Sequence, residues 1–172
     1  MRTILGNYTE QTCMIMGSSM DMLPFEEDSR EALIAKHDIH FTIREAIESG
    51  YTTFVVMPQC GVGLWAAESV LALQRCTPFI ELEIIIAPDT EYEGELNEYD
   101  FDDLDARKEA VHRRAKGYFL VSGQDEGHSL ELLDMLKPEV LLVFGSEDDA
   151  ELKTHADFAE EKGCTVLWSQ IV

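Results

Sequence analysis

Short apolar runs recur along the chain, with longer segments of mixed polarity between them. The runs predict six strands, at residues 13–16, 54–57, 82–87, 118–121, 140–144 and 165–168. Within each run the Val, Ile, Leu, Met and Phe residues are mostly consecutive rather than alternating with polar residues. Consecutive apolar residues are typical of parallel strands that are buried on both faces of the sheet.

The segments between these strands carry apolar residues at helical spacing. They predict helices at residues 29–49, 62–75, 104–116 and 130–136, and a fifth that ends at Gly163. Either Asp28 or Ser29 can cap the first helix, and Ser146, with Asp149 three residues later, is expected to cap the fifth.

The alternation of strands and helices predicts an α/β fold. We expect a Rossmann-like, doubly wound, mostly parallel sheet of about six strands with helices on both faces. The length of 172 residues fits one domain, at residues 1–172.

The net charge of −21 changes the range of expected partners. Nucleic acids and anionic membranes are recognised through Lys and Arg, so neither is expected to bind this chain. The sequence shows no secretory leader or membrane-spanning run, and its cysteines (Cys13, Cys60, Cys76 and Cys164) lack metal-ligand spacing. We therefore expect a reduced, cytoplasmic protein without a bound metal.

Acidic residues are concentrated at positions 89–105, where nine of seventeen residues are Asp or Glu. This run is either a solvated excursion at the carboxyl edge of the sheet or an electronegative lid over a crevice. Basic residues follow it and are expected to neutralise the run and the helix C-terminus. They are Arg107, Lys108, Arg113, Arg114 and Lys116.

The turn between the second strand and the second helix reads Pro-Gln-Cys-Gly-Val-Gly at residues 58–63. Gly61 and Gly63 would let a ligand approach the backbone at the positive end of a helix. Glycines also serve any tight junction between a strand and a helix. On spacing alone, the two interpretations remain open.

The longer string Gly-Val-Gly-Leu-Trp-Ala-Ala-Glu, residues 61–68, resembles a segment of the YpsA-like family. That family belongs to the SLOG superfamily, with the DprA/Smf proteins and the LOG-type phosphoribohydrolases. The resemblance implies a Rossmann-like fold and a crevice for a nucleotide-derived ligand. It also implies backbone contacts at Gly61 and Val62, a packing or stacking role for Trp65, and a carboxylate at Glu68 that binds a ribose hydroxyl.

The candidate ligand site gathers the loops at the carboxyl ends of the strands. Its predicted residues are Gly17, Ser18, Ser19, Gln59, Cys60, Gly61, Val62, Gly63, Glu68, Ser122, Gly145 and Ser146. Nearly all these loops also carry acids, which disfavour a bare phosphate. The expected ligand is a nucleotide or nucleoside derivative, with or without magnesium, or a cationic molecule.

Three functions are compatible with these residues. The first is a ligand-binding sensor or regulator that forms a homodimer through its apolar second helix. The second is a LOG-like phosphoribohydrolase that cleaves a nucleoside monophosphate with Glu68 as the catalytic residue. The third is an acidic protein-interaction module with a degenerate crevice.

Glu68 and three histidines carry further predictions. Glu68 either binds a ligand or pairs with a cation, Arg75 or another. His112 and His155 fall in highly charged segments and are expected at the surface, whereas His128 is placed at the crevice edge.

Overall fold

The fold is a parallel six-stranded sheet with helices on both faces, as the alternating sequence pattern predicts. The computed structural model describes residues 11–57, 61–86, 98–120, 126–146 and 148–171. The strands are β1 Thr12–Gly17, β2 Thr53–Val56, β3 Glu81–Ile86, β4 Gly117–Leu120, β5 Val140–Gly145 and β6 Thr165–Gln170. They lie in the order β4-β3-β2-β1-β5-β6, and all five neighbouring pairs are parallel.

Within the described ranges, five α-helices connect the strands. They are α1 Arg30–Glu48, α2 Val62–Gln74, α3 Glu98–Arg114, α4 Glu126–Leu136 and α5 Ala150–Glu161, and a 3-10 turn lies at Met20–Met22. The buried residues of α1 and α2, with Val111 of α3, form one core cluster against the sheet. Leucines of α4 and residues of α5 form a second cluster on the opposite face. Right-handed crossovers require this division, because the chain moves one way from β1 to β4 and the other way from β4 to β6.

The strand order reverses between β1 and β5. Ile15 of β1 is in register with Val56 of β2 on one side and with Leu142 of β5 on the other. The chain leaves β1 toward α1 on one face and leaves β5 toward α5 on the opposite face. Ligands of open α/β sheets bind in the crevice that such divergent loops create.

The cap of α1 is one of the two expected residues, whereas the cap of α5 differs from the prediction. Ser29 caps α1 by accepting a hydrogen bond from the Ala32 N–H, which decides between the two candidates. The predicted Ser146 cap of α5 is wrong, because Asp149 accepts from the Leu152 N–H at 3.2 Å. The Ser146 hydroxyl instead accepts from the Asp148 N–H. Both are capping residue types, so the sequence alone did not decide between them.

The third helix begins at Glu98, six residues before the predicted start at Leu104. Part of the acidic run is therefore helical rather than an excursion from the fold. Acids in the first turns of a helix interact favourably with its positive end, which compensates for their modest helix propensity. The interpretations that concern residues 87–97 lie outside the described part of the chain.

The prediction of a surface position for His155 is wrong, since this residue is only 1% exposed. It lies on the inner side of α5 near Leu152, Ala156 and Ala159, the other buried residues of that helix. Its Nδ1 lies 2.7 Å from the Glu151 carbonyl oxygen. His112 is exposed as expected.

The described cysteines Cys13, Cys76 and Cys164 are free thiols. Cys13 is fully buried in β1, and burial raises the pKa of the Cys164 thiol to about 11. Both therefore behave as small, protonated packing groups at neutral pH. None of the helices in the described ranges is long and apolar enough to cross a membrane.

Candidate functional site

Ser18 joins the two strands at which the sheet order reverses. Its N–H donates to the Phe144 carbonyl of β5 at 3.1 Å, and its Oγ donates to Asp149 Oδ2 at 3.2 Å. Ser18 and Asp149 are both buried, 2% and 7% exposed. The β1–α1 loop is thus fastened to the start of α5 across the floor of the crevice.

Gly17 and Gly145 allow this close approach. A Cβ on Gly17 would lie 2.0 Å from Val62 Cγ1, and one on Gly145 would lie 2.4 Å from Ser18 Oγ. Real Cβ atoms are essentially never that close to another heavy atom. Gly17 therefore needs to be glycine for packing within the chain, because Val62 Cβ and the Phe144 carbonyl oxygen would also lie within 3 Å of its Cβ. At Gly145 the obstructing atoms are the ends of the Ser18 and Leu152 side chains.

Gly61 packs against the backbone of the β1–α1 loop. It precedes α2 with φ +85°, and a Cβ there would lie 2.9 Å from the Met20 nitrogen and 3.0 Å from the Ser18 carbonyl oxygen. The Val62 N–H donates to that same Ser18 oxygen at 3.3 Å. The tight-junction interpretation therefore accounts for Gly61, while Gly63 is the second residue of α2.

The crevice rim carries hydroxyl and carboxylate groups. Ser19 Oγ donates to Asp21 Oδ1 at 2.5 Å, and the partly buried Ser146 lies at the end of β5. Residues 17–29 and 145–149 contain no Lys or Arg. These two loops can offer hydrogen bonds to a ligand's hydroxyl groups but no positive side chain to a bare phosphate.

Glu68 is paired with Arg107, rather than with Arg75. Arg107 Nε donates to one Glu68 oxygen at 2.7 Å, and Nη2 donates to the other at 2.9 Å. Arg107 Nη1 also donates to Glu27 Oε1 at 2.5 Å. One guanidinium of α3 thus holds a carboxylate of α2 and a carboxylate of the β1–α1 loop, a fork geometry that suits Arg particularly well.

Two further side chains complete what we call the Arg107 cluster: Glu27, Lys36, Trp65, Glu68 and Arg107. The Trp65 indole N–H donates to Glu27 Oε1 at 3.0 Å, and Lys36 Nζ lies 3.4 Å from that oxygen and 5.0 Å from the centroid of the Trp65 ring. Burial alone would raise the pKa of Glu27, but hydrogen bonds from Arg107 and Trp65 and the charges of Arg107 and Lys36 outweigh it and lower that pKa. Glu27 is therefore ionised at neutral pH.

The sequence did not predict the Arg107 cluster. Arg107 was expected to neutralise the acidic run, yet its described partners lie 39 and 80 residues away along the chain. No spacing rule connects positions so far apart. Only the packing of α3 beside α2 brings them together.

The structure thus brings together Gly17, Ser18, Gly61, Val62 and Gly145 in direct contact. Ser19 and Ser146 lie in the same two loops, and Glu68 lies further along α2, in the Arg107 cluster. Predicted residues Gln59, Cys60 and Ser122 lie outside the described residues, as does the side chain of His128. Within the described ranges, no group of three or more His, Cys, Asp or Glu side chains is placed to hold a metal ion.

Replacing Asp149 by alanine is expected to destabilise the protein by about 1–2 kcal/mol, because α5 loses its cap and Ser18 loses its acceptor. Asp149→Asn keeps a side-chain oxygen and is expected to retain most of that stability. Urea denaturation of both variants provides the measurement. Equal losses in the two variants would show that the stabilisation comes from the carboxylate charge or from the bond to Ser18 rather than from the capping oxygen.

The apolar side chains of α2 are already buried within one chain. Of its apolar residues, Val62, Leu64, Trp65, Ala66, Ala67, Val70 and Leu71 are at most 3% exposed. They pack against the sheet and against α1, and Arg107 of α3 reaches across to the same helix. Other parts of the same chain therefore cover these residues, and a dimer contact through α2 stays a prediction.

The parallel sheet, with helices on both faces and strand order reversing between β1 and β5, defines a Rossmann-like α/β protein. The family model YpsA, described as "YspA SLOG family", matches residues 13–116, more than half of the chain. The chain belongs to this family, as the string at residues 61–68 indicated.

One curated relative is UPF0398 protein SSP1297 of Staphylococcus saprophyticus subsp. saprophyticus, 34% identical over 67 residues. That match covers 39% of this chain and 36% of the relative, so only about a third of the relative's length is represented. A structural comparison finds a universal stress protein in complex with cAMP, at 14% identity and a TM-score of 0.36 over 94% of this chain and 98% of that one. So loose a superposition carries no argument about this chain.

Proposed function

We propose that this protein binds a small nucleotide-derived ligand in the crevice between the β1–α1 and β5–α5 loops, and that it acts as a sensor or regulator. The observation that carries the proposal is the reversal of strand order between β1 and β5, with Ser18, Ser19 and Ser146 at the divergent loops. Family membership supports the same location.

The side chains at the rim of the crevice limit the chemical classes of ligand that can bind. Hydroxyl groups and the Asp21 carboxylate can accept hydrogen bonds from sugar hydroxyls and from exocyclic amines of a base. A phosphate would need its charge balanced by Mg²⁺ or another cation, since these two loops supply none. An uncharged nucleoside, a magnesium-bridged nucleotide or a cationic molecule fits this rim better than a free anion.

Ligand binding is tested with adenosine, AMP and spermidine, each with and without Mg²⁺. We expect at least one to raise the melting temperature saturably, and Ser19→Tyr to abolish that shift by filling the crevice mouth. Ser49→Tyr is the matched control, because Ser49 is exposed at the opposite end of α1. If no ligand shifts the wild type, or if both variants lose the shift equally, the crevice is not the site.

The hydrolase alternative requires a Glu68 carboxylate that can reach a substrate ribose. Both of its carboxylate oxygens accept from Arg107, so the side chain would have to leave that partner to act on a ribose. Release of free base from AMP by the wild type, lost in Glu68→Gln, would support the alternative.

A further inference from the structure

α1 exposes large apolar side chains on its outer side. Ile34 is 52% exposed and Phe41 is 45% exposed, and the neighbouring Leu33 is 67% exposed. Ile34 and Phe41 are seven residues apart, so they lie on one side of the helix, away from the buried stripe. Two large apolar groups aligned along a solvent-facing helix are typical of a contact surface.

Two charged rows run along α1 on either side of these residues. Arg30, His37 and Arg44 form a basic row at a spacing of seven residues. Glu31, Asp38 and Glu45 follow them by one position and form an acidic row. All six are exposed. At about 100° per residue, Ile34 and Phe41 lie between the two rows.

We propose that a second copy of this chain binds here, with the two α1 helices side by side and parallel about a two-fold axis. In a parallel two-fold pair, each flank of one helix faces the opposite flank of the other. The acidic row of each copy then faces the basic row of the other copy, and Ile34 and Phe41 each meet their equivalents at the axis. In an antiparallel two-fold pair, rows of like charge would face each other.

The spacing of the rows fits such a contact. A repeat of seven residues keeps the same side chains facing the partner along two helices that cross at a small left-handed angle. In the single chain, Arg44 lies 3.5 Å from Glu48 and packs over the Phe41 ring. Exposed pairs of this kind contribute little, so exchanging them for contacts between copies costs little.

The dimer is expected to be weak. One pair of helices buries less than the roughly 1,600 Å² of a standard interface, which places dissociation in the micromolar range or above. The net charge of −21 on each copy opposes association, and moderate salt screens that repulsion. This proposal does not depend on ligand binding in the crevice.

Charge reversal tests the parallel arrangement through sedimentation equilibrium over a range of protein concentrations. We expect Arg44→Glu and Glu45→Arg each to weaken self-association about tenfold or more, because each places like charges opposite each other at positions 44 and 45, twice in the symmetric dimer. An equimolar mixture of the two variants is expected to form a heterodimer, in which the facing residues at positions 44 and 45 are again opposite in charge. Both variants stay strongly acidic overall, so net charge cannot cause that rescue.

Lys153→Glu serves as the control, because it makes the same charge change as Arg44→Glu at an exposed position of α5. It should leave association unchanged, and circular dichroism should show all variants folded. A wild type that stays monomeric at all concentrations, a dimer that both reversals leave intact, or a mixture that fails to associate would each overturn the proposal.

Discussion

Gly61→Ala is expected to lower the free energy of unfolding by about 3–5 kcal/mol, whereas Gly50→Ala should lower it by about 1–2 kcal/mol. Both glycines have positive φ, +85° at Gly61 and +104° at Gly50. They differ in the space around them. A Cβ on Gly61 would lie 2.9 Å from the Met20 nitrogen, whereas nothing lies within 4 Å of one on Gly50.

Both variants place an alanine at positive φ, and Gly61 also has ψ −140°, a conformation that non-glycine residues rarely adopt. The difference between them therefore measures the close approach together with the extra backbone strain at Gly61. The obstructing atoms at Gly61 belong to backbone rather than to a flexible side chain, so the loop at Ser18–Met20 must move as a unit. Guanidinium denaturation of the two variants beside the wild type measures the difference. Equal losses would show that the loop yields easily and that the turn at Gly61 is held open in solution.

This comparison also bears on the ligand proposal. A residue larger than glycine at position 61 damages the fold directly, so lost binding in such a variant would not identify a ligand contact. Ser19 is the better probe, since its hydroxyl bonds only to the neighbouring Asp21 among the described residues. If Gly61→Ala does not destabilise the protein, the ligand-binding test with Ser19→Tyr is still valid, because it does not depend on the stability of the Gly61 variant.

Arg107→Met is expected to destabilise the protein by about 2–3 kcal/mol at neutral pH, because Glu27 and Glu68 lose their shared partner. Arg107 is 24% exposed, which places this cost below that of a fully buried pair. Arg113→Met is the control on the same helix. Arg113 is 75% exposed and pairs with the exposed Glu109, so its loss should cost about 0.5 kcal/mol or less.

The destabilisation caused by Arg107→Met is expected to decrease as the pH falls. Arg107 helps to lower the pKa of Glu27 in the folded state, so this stabilisation is fully present above the pKa of an unfolded glutamate. It is lost as the pH falls through the lower, folded-state pKa. The stability gap between Arg107→Met and the wild type should therefore shrink on acidification.

Urea denaturation at a series of acidic and neutral pH values measures this gap. A double-mutant cycle with Glu68→Gln separates the Glu68 contact from the Glu27 contact. A gap that stays constant from neutral to acid would show that Arg107 contributes through packing rather than through the ionised carboxylates.

The sequence predicted the strands and the class of fold well. Runs such as Val140–Phe144 have the same consecutive apolar residues that two helical layers require of a central strand, so periodicity alone located them. The string at residues 61–68 indicated the family that the comparison then confirmed. The sequence was less informative about where helices start. Both Ser146 and Asp149 are suitable capping residues for α5, and only the structure shows that Asp149 is the cap.

By itself, the sequence determined the order of strands and helices, the parallel sheet and the family, because these follow from short-range patterns. Tertiary structure alone decided that Arg107 binds Glu27 and Glu68 and that the apolar residues of α2 are buried within one chain. It also decided that backbone atoms of Ser18–Met20 occupy the space that a side chain at Gly61 would need. Each of these joins residues far apart in the chain. Such contacts depend on how helices, strands and loops pack against each other, which the spacing of apolar residues along the sequence does not reveal.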